Sequence, residues 1–194
     1  SSSAGIRLLT VGRFTYQKGY DMAIDAAVIL KKKEVPFQWY VLGAGELEQD
    51  IKERIKKFGL DDNFTLLGIK ENPYPYIKAV DIVVQTSRYE GKSIVIDEAK
   101  IMKKLIVSTN YASVGDQIRD GIDGIVVATS SEGIAEGIIL LVNNSVLQKK
   151  IVSNLENQEF LQKEIIKKHY ELFDTKKWNL NLGLFILEKM LETP

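Results

Sequence analysis

The sequence has 194 residues, 45% of them hydrophobic, enough for one large domain or for one domain with an appended helical tail. Its 26 basic residues balance its 26 acidic residues, which argues against a general nucleic-acid surface or a polybasic membrane patch. The absence of cysteine excludes a disulfide framework and a thiolate metal site, and the apolar runs are too short to span a bilayer.

Six short apolar runs, separated by helix-sized segments, predict the strands of a parallel sheet. They cover residues 6–11, 37–42, 64–67, 81–84, 105–109 and 124–127. Continuous apolar runs without polar alternation are typical of strands that are covered on both faces. We therefore expect an α/β fold with a Rossmann-like, doubly wound parallel sheet of about six strands.

Helical segments are predicted between the strands and after the sheet. The first covers 18–33, a second follows Gly45, a short one covers 73–79, another starts near Ser93, and a short one covers 113–119. We expect residues 1–5 to be a linker or a remnant of cloning, and residues 6–144 to form the sheet domain. Residues 145–194 are expected to add two helices to the same domain, the second with Trp178, Leu182, Phe185 and Ile186 on its apolar face.

The helix that starts near Ser93 has two distinguishable sides in the sequence. Helical spacing predicts a solvated side with Asp97, Lys100 and Lys104, and a buried side with Ile94, Ile101 and Met102. Glu98 falls on the predicted buried side, where a carboxylate is costly unless something donates hydrogen bonds to it. Glu90 lies just ahead of the helix, where free N–H groups and the helix dipole favour an anion.

Ligands of open parallel sheets bind outside the carboxyl ends of the strands. The residues predicted to lie at that edge are, in chain order, Gly12, Arg13 and Lys18, then Gly43 and Gly45, then Gly68, Ile69 and Lys70, and finally the 87–93 turn. Glycine turns allow close approach to a phosphate, and arginine with lysine offsets its charge. A vicinal diol such as that of ribose donates two hydrogen bonds to one carboxylate. This edge therefore predicts a site for a nucleotide with a diphosphate.

Each of these features also has a purely structural interpretation. Arg13 and Lys18 are also compatible with ordinary surface charges, and Glu98 with a structural ion pair to Arg13 or Lys103. The glycine turn lacks the third glycine of the dinucleotide fingerprint, because Glu48 stands there, so NAD binding is not expected. The single histidine, His169, is assigned to the surface of the polar tail.

The order and spacing of these motifs resemble the retaining glycosyltransferases of the GT-B fold, most closely family 4. The matching segments are Val11-Gly12-Arg13, Lys18-Gly19, Leu42-Gly43-Ala44-Gly45, Gly68, Ser87, and Glu90 followed after seven residues by Glu98-Ala99. The resemblance covers about residues 6–130. Lys92-Ser93 depart from the family pattern, which often has an aromatic residue or a Gly/Pro pair there, and this leaves the donor sugar open.

The resemblance implies a role for each matching residue. Arg13 and Lys18 would act on the diphosphate and Glu90 beside the transferred sugar, and these three would be the catalytic residues. Glu98 would hold the ribose, and Gly12 with Gly43 and Gly45 would line the donor site. The main chain of Gly91, Lys92, Ser93 and Ile94 would meet the phosphates and the sugar, and Gly68, Ile69 and Lys70 would lie near the base. No cofactor and no metal is implied, and the donor would be a UDP- or GDP-sugar.

A GT-B enzyme has two Rossmann-like domains, so the resemblance implies that this chain is the carboxy-terminal half of a cytoplasmic hexosyltransferase. A sugar or lipid-linked acceptor would be held mainly by the missing amino-terminal domain, and only the full-length enzyme would contact a membrane. The isolated domain would be inactive. The expected setting is bacterial surface-polysaccharide or glycolipid synthesis, without a nucleic-acid partner.

Three other functions remain open at the level of the sequence. A non-catalytic nucleotide-binding module would keep the glycine turns but would not need Arg13, Lys18, Glu90 and Glu98 together. A GT-B-type nucleotide-sugar epimerase would need a further carboxylate or histidine at the sugar. A receiver-like domain would group acidic residues at the end of the first strand, where this chain has Gly12 and Arg13.

Overall fold

The computed structural model of the chain describes residues 5–157. Its strands are β1 (Ile6–Val11), β2 (Phe37–Leu42), β3 (Phe64–Gly68), β4 (Ile82–Gln85), β5 (Leu105–Thr109) and β6 (Ile125–Val127). They form one sheet in the order β3-β2-β1-β4-β5-β6, and every pairing is parallel. The prediction of a doubly wound, Rossmann-like sheet with six strands is confirmed.

Six α-helices connect or follow the strands in this part of the chain. They are α1 (Tyr20–Lys32), α2 (Glu48–Lys57), α3 (Tyr74–Ala79), α4 (Ile94–Ile101), α5 (Ser131–Asn143) and α6 (Ser145–Glu156). The predicted first helix is divided, because Gly19 adopts a left-handed conformation between a 3-10 helix (Tyr16–Lys18) and α1. The helix predicted over 113–119 is reduced to one 3-10 turn, Val114–Asp116. None of the described helices is long and apolar enough to cross a membrane.

Each face of the sheet is covered by its own hydrophobic cluster. Leu8 and Leu9, adjacent in β1, are both fully buried, but Leu8 lies in one cluster and Leu9 in the other. Successive side chains of a strand point to opposite faces, so the two clusters lie on opposite sides of the sheet. The first contains buried residues of α1, α2, α5 and α6, and the second those of α3 and α4.

The predicted carboxy-terminal extension begins with α6, which is packed on the sheet domain. Ile151 and Leu155 of this helix are fully buried and belong to the same cluster as Leu8. The second predicted tail helix, with Trp178, Leu182, Phe185 and Ile186, and the assignment of His169 to the surface lie outside the described residues. So does most of the predicted linker at residues 1–5, of which Gly5 alone is described.

The predicted faces of α4 are wrong in part. Asp97 was expected in solvent but is only 8% exposed, whereas Ile94 was expected to be buried and is 44% exposed. The reason is that the segment around Gln117 and Asp123 covers the side assigned to solvent. Gln117 donates a hydrogen bond to Asp97 (3.1 Å), and Lys100 forms an ion pair with Asp123 (3.2 Å).

Two glycines allow the loops after β1 and β2 to lie directly against each other. A Cβ atom on Gly43, which has φ of 146°, would come within 1.9 Å of the carbonyl oxygen of Gly12. A Cβ atom on Gly45 would come within 2.7 Å of the backbone nitrogen of Phe14. The backbone contact leaves no room for a side chain, so these glycines are needed for the fold whatever ligand the loops bind.

We expect Gly43→Ala to lower the free energy of unfolding by about 2–4 kcal/mol, because it combines a steric overlap with an unfavourable backbone conformation. Urea unfolding followed by circular dichroism measures this change. Gly115→Ala is the control, since a Cβ atom there meets nothing within 4 Å. Equal stability of the two variants would contradict the assigned contact.

Candidate active site

The candidate site lies at the carboxyl edge of the sheet, between β1 and β4. These neighbouring strands lead to helices on opposite faces, because α1 belongs to the first hydrophobic cluster and α4 to the second. In open α/β sheets the ligand crevice lies at such a point, where the strand order reverses. We call residues 12–19 the first loop and residues 86–93 the fourth loop.

The first loop is anchored by an aromatic side chain and by backbone hydrogen bonds. Phe14 is fully buried and packs edge to face on Tyr20, with ring centroids 4.9 Å apart. The N–H groups of Gly12 and Phe14 donate to the carbonyls of Leu42 and Ala44, each at 2.9 Å. Both amides are thus already bound. Arg13, between them, is exposed and forms no ion pair with the residues that the structure describes.

Lys18 and Glu90 are brought together across the crevice as an ion pair. The Glu90 side chain is only 8% exposed, and its carboxylate accepts three further hydrogen bonds. The donors are Ser87 Oγ at 2.7 Å, Gln85 Nε2 at 3.1 Å and Gln17 Nε2 at 3.2 Å. Four donors compensate for removing this carboxylate from water and fix its position.

Glu98 is a partly buried carboxylate without a cation beside it. Burial raises its pKa to about 7; a hydrogen bond from Tyr74 lowers it, and the neighbouring Asp97 carboxylate raises it further. Neither Arg13 nor Lys103 is among the groups that act on it, so the structure does not bear out the structural ion pair considered for this residue. The neighbours that act on Glu98 are thus one hydroxyl donor and one like charge.

The start of α4 is held by a buried glutamine. Gln117 Oε1 accepts from the Ser93 N–H at 2.8 Å, and Gln117 Nε2 donates to the Ser93 carbonyl at 2.8 Å. The Ser93 amide is thus already bound and is not available to a phosphate, contrary to the role expected for it. Lys92 lies at the same helix start and pairs with Asp97 at 3.3 Å.

The remaining predicted residues lie along the same edge. Gly43 N donates to the Gly68 carbonyl at 3.0 Å, so the turns after β2 and β3 are joined. Ile69 is 76% exposed, and the Lys70 amine lies 6.0 Å from the centre of the Tyr76 ring. A Cβ atom on Gly91 would meet nothing within 4 Å, so the fourth loop is open at that point. Residues 5–157 contain no group of three or more potential metal-binding side chains.

Several residues that build this site were not predicted from the sequence. They are Gln17 and Gln85, which bind Glu90; Tyr74, which binds Glu98; Gln117, which binds the start of α4; and Arg88 with Asp21 and Tyr16, which join the two loops. Most are contacts between segments far apart in the chain. The pattern that could have drawn attention to Arg88 is its place two residues before Glu90.

A protein family described as glycosyl transferases group 1 matches residues 3–158 of the chain. A similar relative is the poly(ribitol-phosphate) alpha-N-acetylglucosaminyltransferase of Staphylococcus aureus, 28% identical over 170 residues. The match covers 85% of this chain and 34% of the relative, so the chain spans about a third of that protein's length.

Two solved structures show how the fold compares. Staphylococcus aureus TarM, crystallised as a variant with fondaparinux, alpha-GlcNAc-glycerol and UDP, superposes with a TM-score of 0.74 at 26% identity. That similarity covers 89% of this chain and 36% of TarM. The carboxy-terminal domain of a group 1 glycosyl transferase (LpcC) from Francisella tularensis superposes with a TM-score of 0.69 at 28% identity, over 78% of this chain and 83% of that domain.

We expect Glu98→Gln to change how stability depends on pH. The pKa of Glu98 in the folded protein, about 7, lies above its ordinary value of 4.5, so the folded state binds the proton more tightly. Its contribution to stability is complete below pH 4.5 and is lost as the pH rises through 7. The glutamine variant should exceed the wild type in free energy of unfolding by less than about 1 kcal/mol at pH 5 and by up to about 3 kcal/mol at pH 8. Urea unfolding across this range measures the difference.

The control for this prediction is Glu53→Gln, because Glu53 is an exposed acid on α2. The difference in free energy of unfolding between Glu53→Gln and the wild type should be the same at pH 5 and at pH 8. If the difference in free energy of unfolding between Glu98→Gln and the wild type is also independent of pH, Glu98 is not a destabilising buried acid.

Proposed function

This chain belongs to the glycosyl transferases group 1 family, and from that premise we propose that it is the donor-binding half of a retaining glycosyltransferase. The donor is a UDP- or GDP-sugar of the hexose type. Two findings support this proposal: TarM, which is similar over 89% of the chain, was crystallised with UDP, and the carboxyl edge of the sheet collects the charged groups described above.

Glu98 is the observation that carries the proposal. A partly buried carboxylate without a cation costs free energy, and the cost is recovered when a ligand donates hydrogen bonds to it. The vicinal diol of a ribose supplies two O–H donors at the spacing of one carboxylate. Ribose bound here would place the diphosphate toward the start of α4 and toward the first loop.

The diphosphate would meet three sources of positive potential. Arg13 is exposed on the first loop, Lys18 lies opposite Glu90, and the start of α4 carries the positive end of the helix dipole. Since the nucleoside diphosphate gains negative charge as it leaves, these groups would lower the energy of the transition state by electrostatic stabilisation. Glu90 would lie beside the transferred sugar, and the base would lie near Gly68, Ile69 and Lys70.

The acceptor site would be completed by a second domain. The chain spans about a third of the length of its Staphylococcus aureus relative, and it covers 83% of a solved carboxy-terminal domain of this family. We therefore place the acceptor contacts mainly on an amino-terminal domain of a longer enzyme and expect the isolated chain to bind donor without transferring sugar. The setting would be glycan synthesis, as for that relative.

We expect a nucleoside diphosphate to bind the chain and to raise its melting temperature. Calorimetric titration with UDP, GDP and ADP in turn identifies the base. Arg13→Ala and Glu98→Ala should each weaken the binding about tenfold or more, because one removes a cation from the diphosphate and the other removes the acceptor for the diol.

Lys33→Ala is the control for the loss of one positive charge, because Lys33 is exposed at the far end of α1. It should leave the affinity unchanged. Wild-type affinity in both Arg13→Ala and Glu98→Ala would show that the nucleotide site is assigned wrongly.

Glu90→Gln is expected to separate donor binding from transfer. Lys18 is paired with Glu90, so a diphosphate must compete with this carboxylate for the lysine. Removing the charge should strengthen UDP binding several-fold, as measured by calorimetry, while sugar transfer by the full-length enzyme is lost. Weaker UDP binding, or normal transfer, would contradict the role given to Glu90.

A further inference from the structure

The first and fourth loops are joined by one arginine that the donor site itself does not use. The Arg88 guanidinium donates to both oxygens of Asp21, from Nη1 at 2.9 Å and from Nη2 at 2.5 Å. Nη1 also donates to the Tyr16 carbonyl at 2.9 Å, and the guanidinium carbon lies 4.0 Å from the centre of the Tyr16 ring. We call Arg88, Asp21 and Tyr16 the arginine clamp.

Backbone groups continue this connection toward the crevice. The Arg88 N–H donates to the Gln17 carbonyl at 2.8 Å, and the Thr86 hydroxyl donates to the Lys18 carbonyl at 2.7 Å. Gln17 Nε2 donates in return to the Tyr89 carbonyl at 3.0 Å. The 3-10 helix Tyr16–Lys18 is thus fixed to the fourth loop along its whole length.

Packing does not hold this 3-10 helix, since none of its three residues is buried. Tyr16 is 64% exposed, and so short a 3-10 helix has little stability of its own. Polar contacts to the fourth loop must therefore decide where the helix lies. In the clamp, the Arg88 guanidinium contacts this helix through the Tyr16 carbonyl and ring. Its two-pronged contact with Asp21, near the start of α1, combines charge with fixed geometry and holds the guanidinium in that position.

We propose that Arg88 is a positioning residue that keeps the Lys18 amine beside the Glu90 carboxylate, where the donor diphosphate binds. This inference rests on the proposed function. Lys18 follows Tyr16 and Gln17 in the same 3-10 helix, and its amine reaches Glu90 on the loop that also carries Arg88. Loosening the clamp lets Lys18 move along the crevice, so that nucleotide affinity falls although every group that would contact the nucleotide is still present.

The chain contains a matched pair for comparison at the opposite edge of the sheet. Arg7 donates to both oxygens of Asp81, from Nη2 at 2.7 Å and from Nε at 3.1 Å. This pair joins the amino-terminal ends of β1 and β4 and is far from the crevice. Arg88→Lys and Arg7→Lys both keep the charge and remove a two-pronged arginine–aspartate contact, and only the first of these contacts lies at the crevice.

The test uses the whole chain and two measurements on these variants. Amide hydrogen exchange reports on the first loop through Lys18 and Gly19, whose N–H groups donate to the carbonyls of Thr15 and Tyr16. Arg88→Lys should speed their exchange about tenfold, and Arg7→Lys should leave it unchanged. Calorimetry with UDP should show about tenfold weaker binding for Arg88→Lys and no change for Arg7→Lys.

Asp21→Asn is a second variant of the same contact, and it should also speed amide exchange at Lys18 and Gly19 and weaken UDP binding. The double variant Asp21→Asn/Arg88→Lys should show no larger effect on either measurement than Arg88→Lys alone. Unchanged exchange at Lys18 and Gly19, or faster exchange with unchanged UDP affinity, overturns the positioning role. If the wild type binds none of UDP, GDP and ADP, the proposed function fails instead, and the exchange comparison alone then decides whether the clamp orders the first loop.

Discussion

The ion pair between Lys18 and Glu90 is the contact on which the whole candidate site depends. It joins loops that follow neighbouring strands but lead to opposite faces of the sheet, and it is the contact between the two loops that pairs opposite charges at the candidate donor site. Three neutral donors hold the carboxylate in place, and the fourth loop holds the 3-10 helix that carries the lysine. Contacts within the protein therefore fix the relative positions of the lysine and the carboxylate.

Much of the fold could be predicted because it depends on local patterns. Continuous apolar runs predicted the ends of all six strands to within one residue, since strands covered on both faces have no polar alternation. Gly12, Gly43 and Gly68 end strands whose carboxyl ends the parallel sheet brings to one edge. The same rule placed Lys18 and Glu90 near each other, and the GT-B resemblance agrees with the family match.

The errors came where one segment is covered by another that is distant in the chain. Helical periodicity assigns one side of a helix to solvent, but α4 packs on the sheet with one side and on the Gln117 segment with another. This is why the prediction that Asp97 faces solvent is wrong. The donors to Glu90 and the clamp partners of Arg88 lie up to 73 residues away, and no local pattern in a single sequence pairs such residues.

The balance of charge in the crevice indicates what kind of ligand it suits. Lys18 is balanced by Glu90 and Lys92 by Asp97, so the charges of these four groups are largely neutralised within the protein. Within residues 5–157, Arg13 lacks an anion and Glu98 lacks a cation. A ligand that satisfies both must bring negative charge to the first loop and hydrogen-bond donors to α4. A nucleoside diphosphate has both, whereas a simple anion would leave Glu98 unsatisfied and would add a second negative charge near it.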